Sequence, residues 1–263
     1  MEDNQNPPQL AANAVQVSPG GKTFATIRDA LASITDASLK KQYVITAGPG
    51  TYNEQVILKP YVYLHGSGID QTFVVGPPVS SDDFPNRGAI VGASNSAVAN
   101  LTASCHGRKW GDYATALLVT ASAPFLVEAV ALVSGDQGYP GINVETVAVN
   151  WNAQPIGPSK VYVSYSTITA EMVNGDSNGT ALIVNGEAAV QCIETKLVAT
   201  GGGTPTAAAS NGGATLTLDN CYAQGAGFAL NIPDYYSTLI ANNCTIDGPV
   251  QNGVQINNNP PPQ

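Results

Sequence analysis

Leu218-Asp219-Asn220-Cys221-Tyr222-Ala223 and, 23 residues further on, Ala241-Asn242-Asn243-Cys244-Thr245-Ile246 decide how this chain is read. Upstream the same cadence returns more loosely. It is seen in Cys192-Ile193-Glu194-Thr195-Lys196-Leu197, Val163-Ser164-Tyr165-Ser166-Thr167-Ile168, Val127-Glu128-Ala129-Val130-Ala131-Leu132 and Val98-Ala99-Asn100-Leu101-Thr102-Ala103. Anchored on their last residues, the six segments step by 29, 36, 29, 26 and 23 residues, within the periods that mark a solenoid. Variable steps mean loops of variable length leaving a constant coil, and the shortest step, Ala223 to Ile246, is the bare unit. One coil cannot bury its inward side chains, whereas coils stacked at the ~4.8 Å strand spacing bury them against one another. The expected fold is therefore all-β, a single-stranded right-handed parallel β-helix, with Cys221 directly below or above Cys244.

Earlier in the chain, Tyr43-Val44-Ile45-Thr46, Gln55-Val56-Ile57-Leu58, Tyr61-Val62-Tyr63-Leu64 and Thr72-Phe73-Val74-Val75 read as short strands bounded by Gly, Pro or Asn. Before them, residues 23–34 place Phe24, Ile27, Leu31 and Ile34 on one helical face behind Thr23 as N-cap. A helix there would cover the apolar cross-section at the open end of a solenoid. The competing β-sandwich needs strands joined as hairpins. The Asn-Gly pairs at 174, 178, 185, 211 and 252 are not flanked by such alternating runs. The expected organisation is an arm over residues 1–13, the β-helix over 14–256 and a Pro/Asn-rich tail over 257–263.

Gly (27) and Pro (18) are plentiful, and charged residues make up 11% against roughly 25% in an average soluble protein. Solenoid faces accommodate this by carrying Thr, Ser and Asn in place of charges. A net charge of −9, with only Arg28, Arg87 and Arg108 as arginines, argues against nucleic acid, which needs clustered cations. No apolar run is long enough for a membrane span. The first ten residues lack the basic and apolar regions of a secretory signal, although an extracellular or cell-surface location is expected. The four cysteines, Cys105, Cys192, Cys221 and Cys244, have no CxxC spacing and read as buried thiols rather than a zinc site or disulfide framework.

Three motifs carry a resemblance. Phe24-Ala25-Thr26-Ile27 with Ala30 is similar to the opening "F-x-T-I-x-x-A" of pectin methylesterases. Gly50-Thr51-Tyr52-Asn53-Glu54-Gln55-Val56 is similar to their "G-x-Y-x-E-x-V". Leu64-His65-Gly66-Ser67-Gly68 with Thr72 and Gly76 resembles their "L-x-G-x-G-x-x-x-T-x-I-x-G". The resemblance implies a grooved parallel β-helix in which one aspartate attacks a methyl ester while a second serves as acid and base. Glutamines form the anion hole, and an arginine in a late "G-R-P-W" orients the nucleophile. Asp136 then matches the acid/base aspartate and Tyr139 the tyrosine closing that motif, with Gly135 where a glutamine is expected. Tyr113-Ala114-Thr115-Ala116-Leu117 replaces the other glutamine strand. The nucleophile position falls on Gly179 or Thr180, with Asp176 a few residues away. No arginine follows Arg108 and no tryptophan follows Trp151, so the late motif is absent.

Read from the residues alone, Asp136 is either a general acid raised in pKa by burial or a turn aspartate in Ser134-Gly135-Asp136-Gln137-Gly138. Asn174, Asp176 and Asn178 alternate as calcium-loop oxygens do, but Asn185 stands where a bidentate Glu is required. The loop is then a weak calcium site or a plain turn, and no other cofactor is implied. His106-Gly107-Arg108-Lys109-Trp110 is the single basic-aromatic cluster. With Tyr113, Tyr139 and Trp151 it either lines a sugar-binding groove, Arg108 and Lys109 holding uronate carboxylates, or is a loop anchored by a buried Trp110. The leading functional reading is a pectinesterase-like β-helix without the catalytic apparatus, serving as a polysaccharide-binding, surface or assembly module. The alternatives are a divergent carbohydrate-active enzyme, whether an esterase using Asp136 and Asp176 or a lyase or isomerase, and a self-associating subunit of a homopolymeric fibre.

Overall fold

The computed structural model describes residues 13–77, 79–80, 88–120, 124–138, 142–149, 160–251 and 253–258. Short runs of small and β-branched residues, each ended by a turn, form strands that pair in parallel with the next coil. One coil consists of Ala189–Ile193, Lys196–Gly201 and Thr206–Asn211, stacked on Thr215–Asp219, Tyr222–Gly225 and Phe228–Asn231. Repetition builds three sheets of ten, nine and eight strands among the described residues. Among the described residues the exceptions to parallel pairing are a short antiparallel contact, Asp112 with Ser80 and Tyr113 with Val79, and a bridge from Ser38 to Lys41. The chain is a right-handed parallel β-helix, as the repeat implies.

The anchors expected from the repeat are direct neighbours: Ala103 with Leu132, Leu132 with Ile168, Ile168 with Leu197, Leu197 with Ala223, and Ala223 with Ile246. All but Ile246, in the terminal coil, are fully buried. What phases them is a turn three residues earlier. Asn100, Ala129, Tyr165, Glu194, Asn220 and Asn243 adopt left-handed φ between 46 and 52°, so the strand of the ten-stranded sheet turns sharply into the eight-stranded one. Asn tolerates this conformation, whereas Ala, Tyr and Glu are strained in it. Each of the six N–H groups donates to a carbonyl of the next coil at 2.9–3.2 Å, so the ladder runs unbroken through the corner.

The residue after each left-handed position points inward, giving the column Leu101, Val130, Ser166, Thr195, Cys221 and Cys244, all buried. Its polar members satisfy themselves by donating to the carbonyl two residues back. Ser166 Oγ reaches Ser164 at 2.7 Å, Thr195 Oγ1 reaches Ile193 at 3.0 Å, Cys221 Sγ reaches Asp219 at 3.4 Å and Cys244 Sγ reaches Asn242 at 3.3 Å. All four cysteines are free and buried. Burial pushes Cys105 up to about 11 and raises Cys192 further, so these are inert core thiols.

The helix is shorter than the expected 23–34, running Ile27–Ser33, and its N-cap is Thr26 rather than Thr23: Thr26 Oγ1 accepts from Asp29 N–H at 3.0 Å. Ile27, Leu31 and Ile34 are buried against the first coil, and Phe24 packs against the core from the preceding turn. The "G-x-Y-x-E-x-V" stretch explains the helix placement. Buried Glu54 accepts from the N–H groups of Ile27 at 2.8 Å and Arg28 at 2.9 Å, meeting orphan donors and favouring the positive end of the helix. Tyr52 Oη donates toward Val17 and Gly48 carbonyls at 3.2 and 3.1 Å. Gly50, at φ +138, leaves no room for a Cβ, which would fall 2.5 Å from Pro19. We expect Glu54→Ala to cost about 2 kcal/mol, read as a lower denaturant midpoint at unchanged slope, with Glu54→Gln intermediate. An unchanged midpoint would show that the helix is held by packing alone.

One strand, Asn13–Val17, begins within the stretch expected to be an arm and pairs with Tyr43–Ala47. At the other end Gln255–Asn257 closes the ten-stranded sheet on Thr238–Asn242. No helix among the described residues is long and apolar enough to cross a membrane.

Candidate functional site

The loop 106–112 turns out of the eight-stranded sheet after Thr102–His106 and enters Asp112–Ala114. Its geometry follows from two residues. Gly107 passes so close to Ile142 that a Cβ would lie 2.5 Å from that side chain. Buried Asp112 accepts from the N–H groups of Arg108 at 2.9 Å and Lys109 at 3.1 Å and donates its own N–H to Lys109 carbonyl at 3.1 Å. The carboxylate thus staples the turn from inside, and Trp110 is not the anchor: it is 76% exposed. Arg108, Lys109 and Trp110 all face solvent from a fixed backbone, which removes the buried-tryptophan reading of this loop.

Beside the loop lies an open cleft of about 880 Å³ between the helix and the sheets. Arg28, Leu31 and Ala32 line it from the helix, and Val75, Gly76, Pro77 and Arg108 line it from the coils. Lys59 also lines it, its Nζ donating to Ile34 carbonyl at 2.7 Å. Three of the chain's ten basic residues therefore converge on one cleft of an acidic protein. Glu54 lines it too, but its oxygens are turned to the helix N–H groups. Neither arginine is in an ion pair among the described residues. Tyr113 is half-buried on the nine-stranded sheet beside Asn143; Tyr139 and Trp151 lie outside the described residues.

The two aspartates take different places, Asp136 within a turn and Asp176 in an exposed loop. Asp136 is fully buried at the end of Ala131–Gly135. Its Oδ1 accepts from Gly138 and Val173 N–H and its Oδ2 from Asn174 N–H, each at 2.9 Å, with Ser177 adding a fourth hydrogen bond. Burial pushes its pKa up, but these donors outweigh burial and hold the carboxyl below its ordinary value. Of the two readings of Asp136, the geometry favours the turn aspartate over a raised general acid: its carboxylate ties two coils together through backbone donors. Asp176 is exposed in the clamped loop, its N–H bonded to Asn174 Oδ1 at 2.9 Å. The calcium reading meets the same geometry: Asn174 Oδ1 serves Asp176, Asn174 Nδ2 donates to Gly138 carbonyl at 3.2 Å, and Asn178 Oδ1 accepts from Thr204 at 3.3 Å. No cluster of three or more His, Cys, Asp or Glu suited to a metal exists among the described residues.

A carboxylate that sequence reasoning passed over is Glu145, only 8% exposed within Asn143–Val149. Its register neighbour is Thr180, which in turn neighbours buried Thr206. Nothing local in Asn143-Val144-Glu145-Thr146 signals this, because the adjacency is made between coils 35 residues apart.

The fold is that of solved pectin methylesterases. Similar structures include PemA from Erwinia chrysanthemi (TM-score 0.56, 13% identity, covering 94% of this chain and 93% of that one) and the carrot enzyme (0.61, 12%, 94% and 89%). The Aspergillus niger enzyme is comparable (0.56, 16%, 95% and 86%). No protein-family model matches the chain, and no curated protein matches it in sequence.

Proposed function

We propose that this chain is a polysaccharide-binding module on a pectin-methylesterase-like scaffold, without that family's catalytic apparatus, and that it takes acidic polysaccharide at the cleft beside Arg108 and Trp110. The carrying observation is the exposed Arg108–Lys109–Trp110 turn, pinned by Asp112, on the rim of a cleft that also presents Arg28 and Lys59. An indole face stacks on the apolar face of a pyranose, and guanidinium groups pair with carboxylates in fork geometry. A pre-set loop lowers the ordering cost of binding. The absence of arginine after Arg108 and the commitment of Asp136 to backbone donors support the non-catalytic half of the reading. With polygalacturonate as probe, Trp110→Ala and Arg108→Ala are each expected to weaken binding by about tenfold, and rising salt to weaken the wild type more than Arg108→Ala. Wild-type protein that ignores polygalacturonate, or binds it equally well without Trp110, overturns the proposal.

A second reading rests on Glu145. It sits beside Thr180, one of the two positions where the pectin-methylesterase resemblance expects the nucleophile, so a divergent esterase on this scaffold would use Glu145 rather than Asp136 with Asp176. Methanol release from methyl-esterified polyuronide, lost in Glu145→Gln, is its expected signature. A wild type that releases none ends it.

A further inference from the structure

Cys221 and Cys244 are the last two members of the inward column that follows the left-handed corner. The pairs immediately after them, Tyr222 with Thr245 and Ala223 with Ile246, are in parallel register, and Thr245 N–H donates to Cys221 carbonyl at 2.9 Å. Residues stacked this way lie about 4.8 Å apart, inside the roughly 4.4–6.8 Å separation of Cα atoms that a disulfide spans. Both side chains enter the same inward column, and each sulfur bears electrostatically on the other. We propose that Cys221 and Cys244 are a modification site: a small-molecule disulfide converts them to a covalent clip between the last two full coils.

The position distinguishes this pair from the other thiols. Cys105 and Cys192 lie deep in the stack at 0% exposure, whereas Cys244 is 9% exposed in a terminal coil with solvent-facing residues on either side of it. Terminal coils open most readily, since each coil of a solenoid is held only by its neighbours. The interaction between the two sulfurs lowers the Cys244 pKa and raises that of Cys221, an effect burial reinforces. Cys244 is therefore the attacking thiolate. In the first step its sulfur bonds to one sulfur of glutathione disulfide, and one glutathione thiolate leaves with the electron pair. Cys221 then gives its proton to solvent and attacks the Cys244 sulfur of the mixed disulfide, expelling the second glutathione thiolate. The two cysteines lose two electrons and two protons, and glutathione disulfide is reduced to two thiols.

The test uses the folded full-length chain exposed to glutathione disulfide, then unfolded and alkylated. We expect two of the four thiols to be lost, an intact mass lower by two hydrogens, a peptide linking Cys221 to Cys244, and a thermal midpoint above that of the reduced protein. Cys244→Ser should keep all its remaining thiols or stop at a single glutathione adduct on Cys221. Four alkylatable thiols in the treated wild type, or a linkage joining Cys192 to Cys221 instead, overturns the assignment. The readout is independent of polysaccharide binding.

Discussion

Asp136→Ala is expected to lower stability by about 4 kcal/mol, among the largest losses any single substitution in this chain produces. Three backbone N–H groups, from Gly138, Val173 and Asn174, converge on a carboxylate with no solvent exposure. Alanine would strand them, and each unsatisfied buried donor costs about 1–3 kcal/mol. The loop 173–178 should loosen with it, detected as faster amide exchange at Val173 and Asn174. The pH dependence has a definite sign. The folded-state pKa of Asp136 lies below its unfolded value of about 3.9. The stabilisation is thus complete above that value and is lost as pH falls through the folded pKa. Wild type should accordingly lose stability on acidification below about pH 4 more steeply than Asp136→Ala. Were Asp136→Ala to fold with wild-type stability, the clamp would be no clamp, and a catalytic role for this residue would reopen.

The second large effect is a contrast along the anchor column. Ile168 is fully buried between Leu132 and Leu197, mid-stack, while Ile246 ends the same column and is only partly buried. Ile168→Ala removes buried methyl groups and leaves a cavity that coils above and below cannot close without breaking register, at about 3–4 kcal/mol. Ile246→Ala, at an end where the chain can relax toward solvent, should cost about 1 kcal/mol. Paired denaturation curves measure both. Equal losses at the two positions would mean that the column does not behave as a linear stack of nearest-neighbour contacts.

How much of this was readable beforehand depends on how local the signal is. The hexads containing Asn100, Asn220 and Asn243 advertise their own turn, because asparagine at a left-handed position is a backbone preference visible in one residue. Ala129, Tyr165 and Glu194 occupy the same corner without that preference, and only the spacing of their flanking apolar residues revealed them. The helix was legible as an apolar stripe, but its start was misplaced by three residues. The cap is chosen by what meets the first N–H groups, and Glu54, 27 residues beyond Ile27, is part of that choice. The strand Asn13–Val17 was missed because its composition is polar on one side and its partner, Tyr43–Ala47, lies beyond the helix.

The candidate site divides along the same line. Arg108, Lys109 and Trp110 were identified as a cluster because they are adjacent in sequence, yet whether Trp110 faced inward or outward was undetermined until Asp112 was seen to hold the turn from beneath. Arg28 and Lys59 joined them only through folding, since the helix and the first coils bring together segments separated by up to 80 residues. Asp136 stayed open between acid and turn because burial by itself raises a carboxyl pKa, and the donors that reverse the shift come mainly from residues 173, 174 and 177, one coil away.

From the amino-acid order alone came the architecture: a repeating corner and a repeating apolar anchor suffice, because one coil has a single way to bury its inward face. Tertiary structure alone decided the chemistry of the surface. Protonation, exposure and convergence of charge depend on which neighbouring coil supplies the next donor or cation, and loops of unequal length between coils erase that information from the linear chain.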